Sequence, residues 1–198
     1  MTIALAVKVH DGVVLASDSA SSLIKKKPDG EVVVWKVFNN ANKISNLRKG
    51  LPVGGITWGA GSIGAASIST LAKDLRQEFA HGTDDLALDV SAYQLKDVAE
   101  RVRDFLVGKI REAKEDDPNV VIGELGFMVV GYSVPGDQPE VWEFFLRDGT
   151  CINFRQTHPQ VSTGVTWAGS GGEAIQRLVF GVGSGMPDVL RDLSLIHI

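Results

Sequence analysis

The first stretch of the chain leaves little freedom in how it can fold. Ile3, Leu5, Val7 and Val9 alternate with Ala4, Ala6, Lys8 and His10, the period of a strand with two unlike faces. Asp11-Gly12 supplies the positive backbone angles of a tight hairpin turn, and Val13-Val14-Leu15-Ala16 returns as a continuous apolar run. A strand is therefore expected to begin at the second residue. Chain ends fray unless something ties them down, so a terminus committed to a buried sheet points to a terminus that is itself the reactive group.

Thr2 gives that expectation a chemistry. Removal of Met1, which a small second residue permits, leaves a threonine with a hydroxyl and a free α-amine. The hydroxyl attacks a carbonyl only if a base takes its proton, and an α-amine with a reference pKa of about 7.7 to 8.0 is a base poised near neutrality. Taken alone, Thr2 reads first as a polar residue at a strand start. The rest of the constellation changes that reading.

Thr2, the hairpin from Asp11 to Asp18, the triplet Asn42-Lys43-Ile44 and the junction Ala60-Gly61-Ser62-Ile63-Gly64-Ala65 follow one another along the chain. Their order resembles that of 20S proteasome β subunits of the A/B type, members of the N-terminal-nucleophile hydrolases, and the similarity continues to Gly169-Ser170-Gly171. The resemblance implies an α+β fold, a four-layer αββα sandwich of two antiparallel sheets flanked by helices. It also implies a cytoplasmic threonine peptidase that degrades peptides or unfolded proteins, assembled as a homo-oligomeric ring with an ATPase as a candidate partner.

The site residues follow from the same resemblance. Lys43 matches the active-site lysine, whose ammonium would favour the nucleophilic form of the threonine. Asp18 would keep that ammonium charged and oriented, since a cation taken out of water without an anion is costly. Gly61 fits the residue whose backbone N–H holds the oxyanion, expected at a helix start with no side chain in the way. Ser170 matches an accessory serine near the terminal amine. Plainer readings stay open: a surface lysine, a strand-end aspartate, a turn glycine and a helix N-cap.

Composition bounds the answer. The 198 residues, 44% of them hydrophobic, fit one domain over 1–192 with a sizeable core. A net charge of -4 argues against a nucleic-acid or membrane-surface partner held by charge. Lys25-Lys26-Lys27, followed by Pro28-Asp29-Gly30, reads as a solvated loop tip. Cys151 is the single cysteine, so no internal disulfide is expected, and His10, His81, His158 and His197 are scattered, so neither metal nor cofactor is expected. No signal segment or long apolar run indicates export or membrane insertion. Residues 193–198 read like a translated sequencing adapter, from which we expect the natural chain to continue further.

Between these points the periodicity predicts a strand from Glu31 to Phe38, strands at Lys43 to Leu47 and Val53 to Trp58, and a helix carrying Ile68, Leu71, Ala72, Leu75 and Phe79. A second helix is expected from a capping box at Ser91 to Gln94 through Ile110, stopped by Pro118. Strands then recur at Phe127 to Val134, Val141 to Arg147, Cys151 to Phe154 and Val165 to Ala168, before a third helical stretch ending at Phe180. Side-chain preference is expected from Ser19 to Ser22 and from Thr57 to Gly61. Gly181 to Gly185 lacks the ending of a phosphate-binding loop and reads as a linker.

Two other functions compete. The junction at Gly61-Ser62-Ile63-Gly64 resembles a variant nucleophile elbow, so a serine hydrolase using Ser62, Asp137 and His158 is one alternative, although hairpins are the wrong setting for it. The other is a non-catalytic structural subunit, because Ser19 stands where many active relatives have arginine.

Overall fold

The computed structural model describes residues 2–27, 30–82, 86–159, 163–169 and 172–181. The N-terminal hairpin forms as its alternation requires: β1 (Ala4–Val9) turns at Asp11-Gly12 into β2 (Gly12–Ser17), with Ala4 opposite Ser17 and Lys8 opposite Val13. The regular ladder starts at Ala4 rather than at residue 2. Ahead of it the chain is held by Asp18, whose N–H donates to the Ile3 carbonyl at 3.4 Å.

Next come a hairpin of β3 (Ser21–Lys26) and β4 (Val32–Phe38), β5 (Ile44–Asn46), β6 (Val53–Gly59), and a small hairpin of β7 (Ser62–Ile63) and β8 (Ala66–Ser67). Helices α1 (Ile68–His81) and α2 (Leu95–Asp116) are followed by β9 (Leu125–Tyr132), β10 (Pro139–Arg147), β11 (Thr150–Gln156), β12 (Gly164–Ala168) and α3 (Gly172–Phe180). β1 lies between β12 and β2 in a three-stranded antiparallel sheet, while a five-stranded sheet runs in the order β11-β10-β9-β6-β5.

The two larger sheets share a small core. Ala4 and Ala6 from β1 meet Ile56, Met128, Val130 and Val141 from the five-stranded sheet. Alanines here let the sheets approach closely. The opposite face of the five-stranded sheet is covered by the apolar stripes of α1 (Leu71, Leu75, Phe79) and α2 (Val98, Val102, Leu106), which pack on Leu125, Phe127, Phe144 and Leu146. β9 is covered on both sides, so its residues from Leu125 to Gly131 are all buried. The architecture is thus mixed α+β with antiparallel sheets and few helices. No described helix is long and apolar enough to cross a membrane.

Several local expectations are corrected. Lys25 and Lys26 lie on β3, paired with Val33 and Val32, so the lysine run is mostly strand rather than loop tip. The junction after β6 does not open a helix directly; β7 and β8 intervene, and α1 starts only after Ser67, whose hydroxyl accepts from the Thr70 N–H at 3.1 Å. The capping box at Ser91 does not form, because the Ser91 hydroxyl donates to Asp89 Oδ1 at 2.6 Å and α2 begins later. Its first N–H, that of Leu95, donates instead to the Ser133 hydroxyl at 3.0 Å, and Ser133 in turn donates to Glu140. Replacing Ser133 with alanine is therefore expected to cost about 0.5–2 kcal/mol, the usual range for a lost cap, read from the urea midpoint. The tail at 193–198 and most of the glycine-rich stretch lie outside the described residues.

Candidate active site

Strand register brings Thr2, Asp18 and Lys43 together. Thr2 stands two residues before β1 and Asp18 one residue after β2, and because Ala4 pairs with Ser17 the two emerge side by side. Lys43 comes from the other sheet, just ahead of β5, where its carbonyl accepts from the Thr57 N–H at 3.0 Å. Its ammonium reaches across to donate to both Asp18 oxygens at 2.9 Å, to the Ala20 carbonyl at 2.6 Å and to Thr2 Oγ1 at 3.4 Å.

The pair is largely removed from water: the Lys43 side chain is 9% exposed and that of Asp18 27%. Such a cation is tolerable only with a well-bonded anion beside it. Asp18 is itself fixed by the Ile3 N–H at 2.7 Å and the Ala20 N–H at 3.1 Å. Burial pushes its carboxyl up, yet these N–H groups and the Lys43 ammonium outweigh burial and hold it below the ordinary value of 3.8. A carboxyl depressed in the folded state stabilises the fold above the unfolded value and loses that contribution as pH falls through the folded one. The stability gap between wild type and Asp18→Asn is therefore expected to be flat from about pH 5 upward and to shrink below 3.8, checked by urea unfolding along a pH series.

Thr2 and Lys43 line a cavity of about 510 Å³. Its walls include Ser21, Ser22 and every residue from Thr57 to Gly61, as the sequence predicts, whereas Ser19 is not among the lining residues. Phe38 from β4 and Ser67 to Ser69 at the start of α1 line it as well. Those were not foreseen. The serine and threonine spaced three apart at Ser67 and Thr70 were the available signal, since a helix N-cap there would have placed the first turn of α1 at the cavity.

Gly61 is in the cavity wall and exposed, but not at a helix start: its carbonyl accepts from the Ile68 N–H at 3.0 Å, seven residues on. A Cβ at Gly61 would meet only Ser21 Oγ at 3.8 Å, so local crowding does not demand glycine here. It is Gly59 and Gly169 that sterics demand. Gly59 is the last residue of β6 and Gly169 the first after β12, just beyond the sequence-related runs Ile56-Thr57-Trp58 and Val165-Thr166-Trp167, and each has positive φ, +85° and +88°. A Cβ would lie 2.3 Å from the Glu124 carbonyl oxygen in the first case and 2.0 Å from that of Thr2 in the second. Gly169 is what lets the chain pass directly over the Thr2 carbonyl.

Ser170 lies outside the described residues. Ser62, Asp137 and His158 are not brought together: Ser62 lines the Thr2 cavity, while His158 lines a separate one with Thr166 and Trp167, its Nε2 beside the Val165 carbonyl at 3.2 Å. Among the described residues no group of histidine, cysteine, aspartate or glutamate is placed to hold a metal ion.

No family model matches the chain, and no curated protein does. Among solved structures it is similar to the Anbu complex of Pseudomonas aeruginosa, a helical assembly, at 19% identity and a TM-score of 0.54, covering 96% of this chain and 70% of that one. It also aligns with Anbu, an ancestral β-subunit, from Yersinia bercovieri at 10% identity and a TM-score of 0.48, covering 91% and 66%. The assignment to 20S proteasome β subunits is corrected accordingly. The fold this chain shares is that of Anbu, proteasome-like but distinct from the proteasome β subunit.

Proposed function

We propose that the chain is a proteasome-related subunit that hydrolyses peptide bonds with Thr2 as its nucleophile. The observation that carries this is the meeting of Thr2 Oγ1 with the Lys43 ammonium at 3.4 Å, itself anchored on Asp18 at 2.9 Å, at the wall of a cavity. In this reading the α-amine of Thr2, freed of Met1, takes the hydroxyl proton directly or through a water. Oγ1 bonds to the substrate carbonyl carbon, the Gly61 N–H receives the oxyanion, and the proton passes to the leaving amine. Water then attacks the acyl ester and regenerates the hydroxyl.

The proposal extends to the setting. Self-assembly into a homo-oligomer is suggested by the helical assembly of the Anbu complex, and four layers would result if α3, next to β12, begins a cover over the three-stranded sheet. A cavity of about 510 Å³ admits a peptide side chain but no folded domain, so folded substrates would call for an unfolding ATPase. Cys151 as a free thiol suits the cytoplasm.

A second reading, a structural subunit without activity, is favoured by one distance: the Thr2 contact is the longest that Lys43 makes. Intact mass after treatment with a β-lactone decides between them. Acylation at Thr2 of a chain starting at Thr2, lost in Thr2→Ala, is the expected result; a chain that keeps Met1 and takes no acyl group supports the structural reading.

A further inference from the structure

We infer that the cavity beside Thr2 receives, on the acyl side of the bond attacked, an uncharged side chain packed against Trp58, and that it rejects both carboxylates and cations. The inference rests on the hydrolytic reading above and adds its substrate class.

Charge is the first part of the argument. Among the described residues lining the cavity there is no carboxylate, and Lys43 is the one cation. That cation is already engaged by both Asp18 oxygens, the Ala20 carbonyl and Thr2 Oγ1, and its charge is balanced by Asp18. With the Thr2 amine in the neutral form that acts as the base, a glutamate side chain entering here would find no free positive partner, and an arginine or lysine no negative one. A charge moved out of water without a partner is penalised far more heavily than a neutral group.

The second part is shape. Trp58 on β6 pairs with Gly126 on β9, and a Cβ at 126 would lie 2.0 Å from indole Cε2. The indole therefore lies across the glycine, where no side chain can displace it, and presents a flat apolar wall. Thr57 adds no polarity at this wall, because its hydroxyl is turned to the Gly126 carbonyl at 3.2 Å. Phe38 adds a second apolar surface from β4.

The test uses the processed full chain and capped tripeptide aminocoumarin amides that differ only in the residue next to the coumarin. Leucine is expected to exceed both glutamate and arginine in kcat/KM by at least about tenfold, the low end for a misfit side chain in a specificity pocket. Trp58→Ala should raise KM for the leucine substrate with a smaller change in kcat, which a merely structural role would not produce. Ser69→Asp introduces a carboxylate at the cavity in the first turn of α1, which holds no acidic residue and tolerates one well. That variant should gain at least about tenfold on the arginine substrate relative to leucine. Equal rates for the three substrates, or a preference for a charged one, would overturn the inference. A side-chain-free β-lactone separates the two levels: acylation of Thr2 without charge discrimination sinks the inference alone, whereas no acylation sinks the hydrolytic reading and the inference with it.

Discussion

Lys43→Met is expected to lower amide hydrolysis by about 10²–10³-fold, the scale at which loss of one fixed electrostatic partner is felt in an active site, with the fold retained. Methionine preserves the stem's volume and removes only the ammonium. Asp18 then loses its cation but keeps the Ile3 and Ala20 N–H groups, and it is 27% exposed, so the stability cost should be about 1–3 kcal/mol. Adding Asp18→Asn to Lys43→Met should recover part of that stability and none of the activity. Rates on a peptide amide and urea midpoints on the four proteins of this cycle give both numbers. If activity returned with stability, the pair would be a structural brace and nothing more.

Phe144→Ala is the largest expected effect on stability. Its side chain is 1% exposed, stacked on Phe127 at 5.7 Å between ring centroids and on Phe154 at 6.4 Å, beneath the helical layer. Truncating such a ring removes its transfer free energy and leaves a cavity that three neighbouring strands cannot close, about 3–5 kcal/mol in all. Against a total of about 5–15 kcal/mol this is a large fraction, visible as a urea midpoint lower by about 1–3 M at unchanged slope. Val14→Ala, at a residue 62% exposed on the edge strand β2, should stay within about 0.5 kcal/mol. Similar shifts for the two would mean that the core does not lie where Phe144 places it.

What the sequence made legible follows from where its signals are local. The alternation from Ile3 to Val9 and the helical spacing of Leu71, Leu75 and Phe79 report burial directly, so β1 and α1 were readable. The start of α2 was not, because the hydroxyl capping it belongs to Ser133, 38 residues away. Strands of two residues, as in β7 and β8, are too short to show a period. Nor does spacing bring Lys43 to Asp18; a resemblance did. That resemblance named Thr2, Asp18 and Lys43, which the fold brings into contact, and misassigned the relative, since a shared fold leaves the same pattern of turns and glycines in chains that differ in kind. The demand for glycine at 169 depends on a carbonyl 167 residues earlier, which no local pattern can announce.

Gly169 also sets an order of events during synthesis. The strand that follows Thr2 finds β2 within a few residues, but its other neighbour, β12, is translated only near the end of the described chain. At about 5–20 residues per second, Thr2 waits on the order of 10–30 s before β12 and Gly169 can close over it. On the proposed hydrolytic reading, which requires removal of Met1, an aminopeptidase would have that interval in which to work on an open terminus. A variant that is trimmed slowly would be sealed with its methionine in place, so the yield of mature chain should depend on how fast it is made.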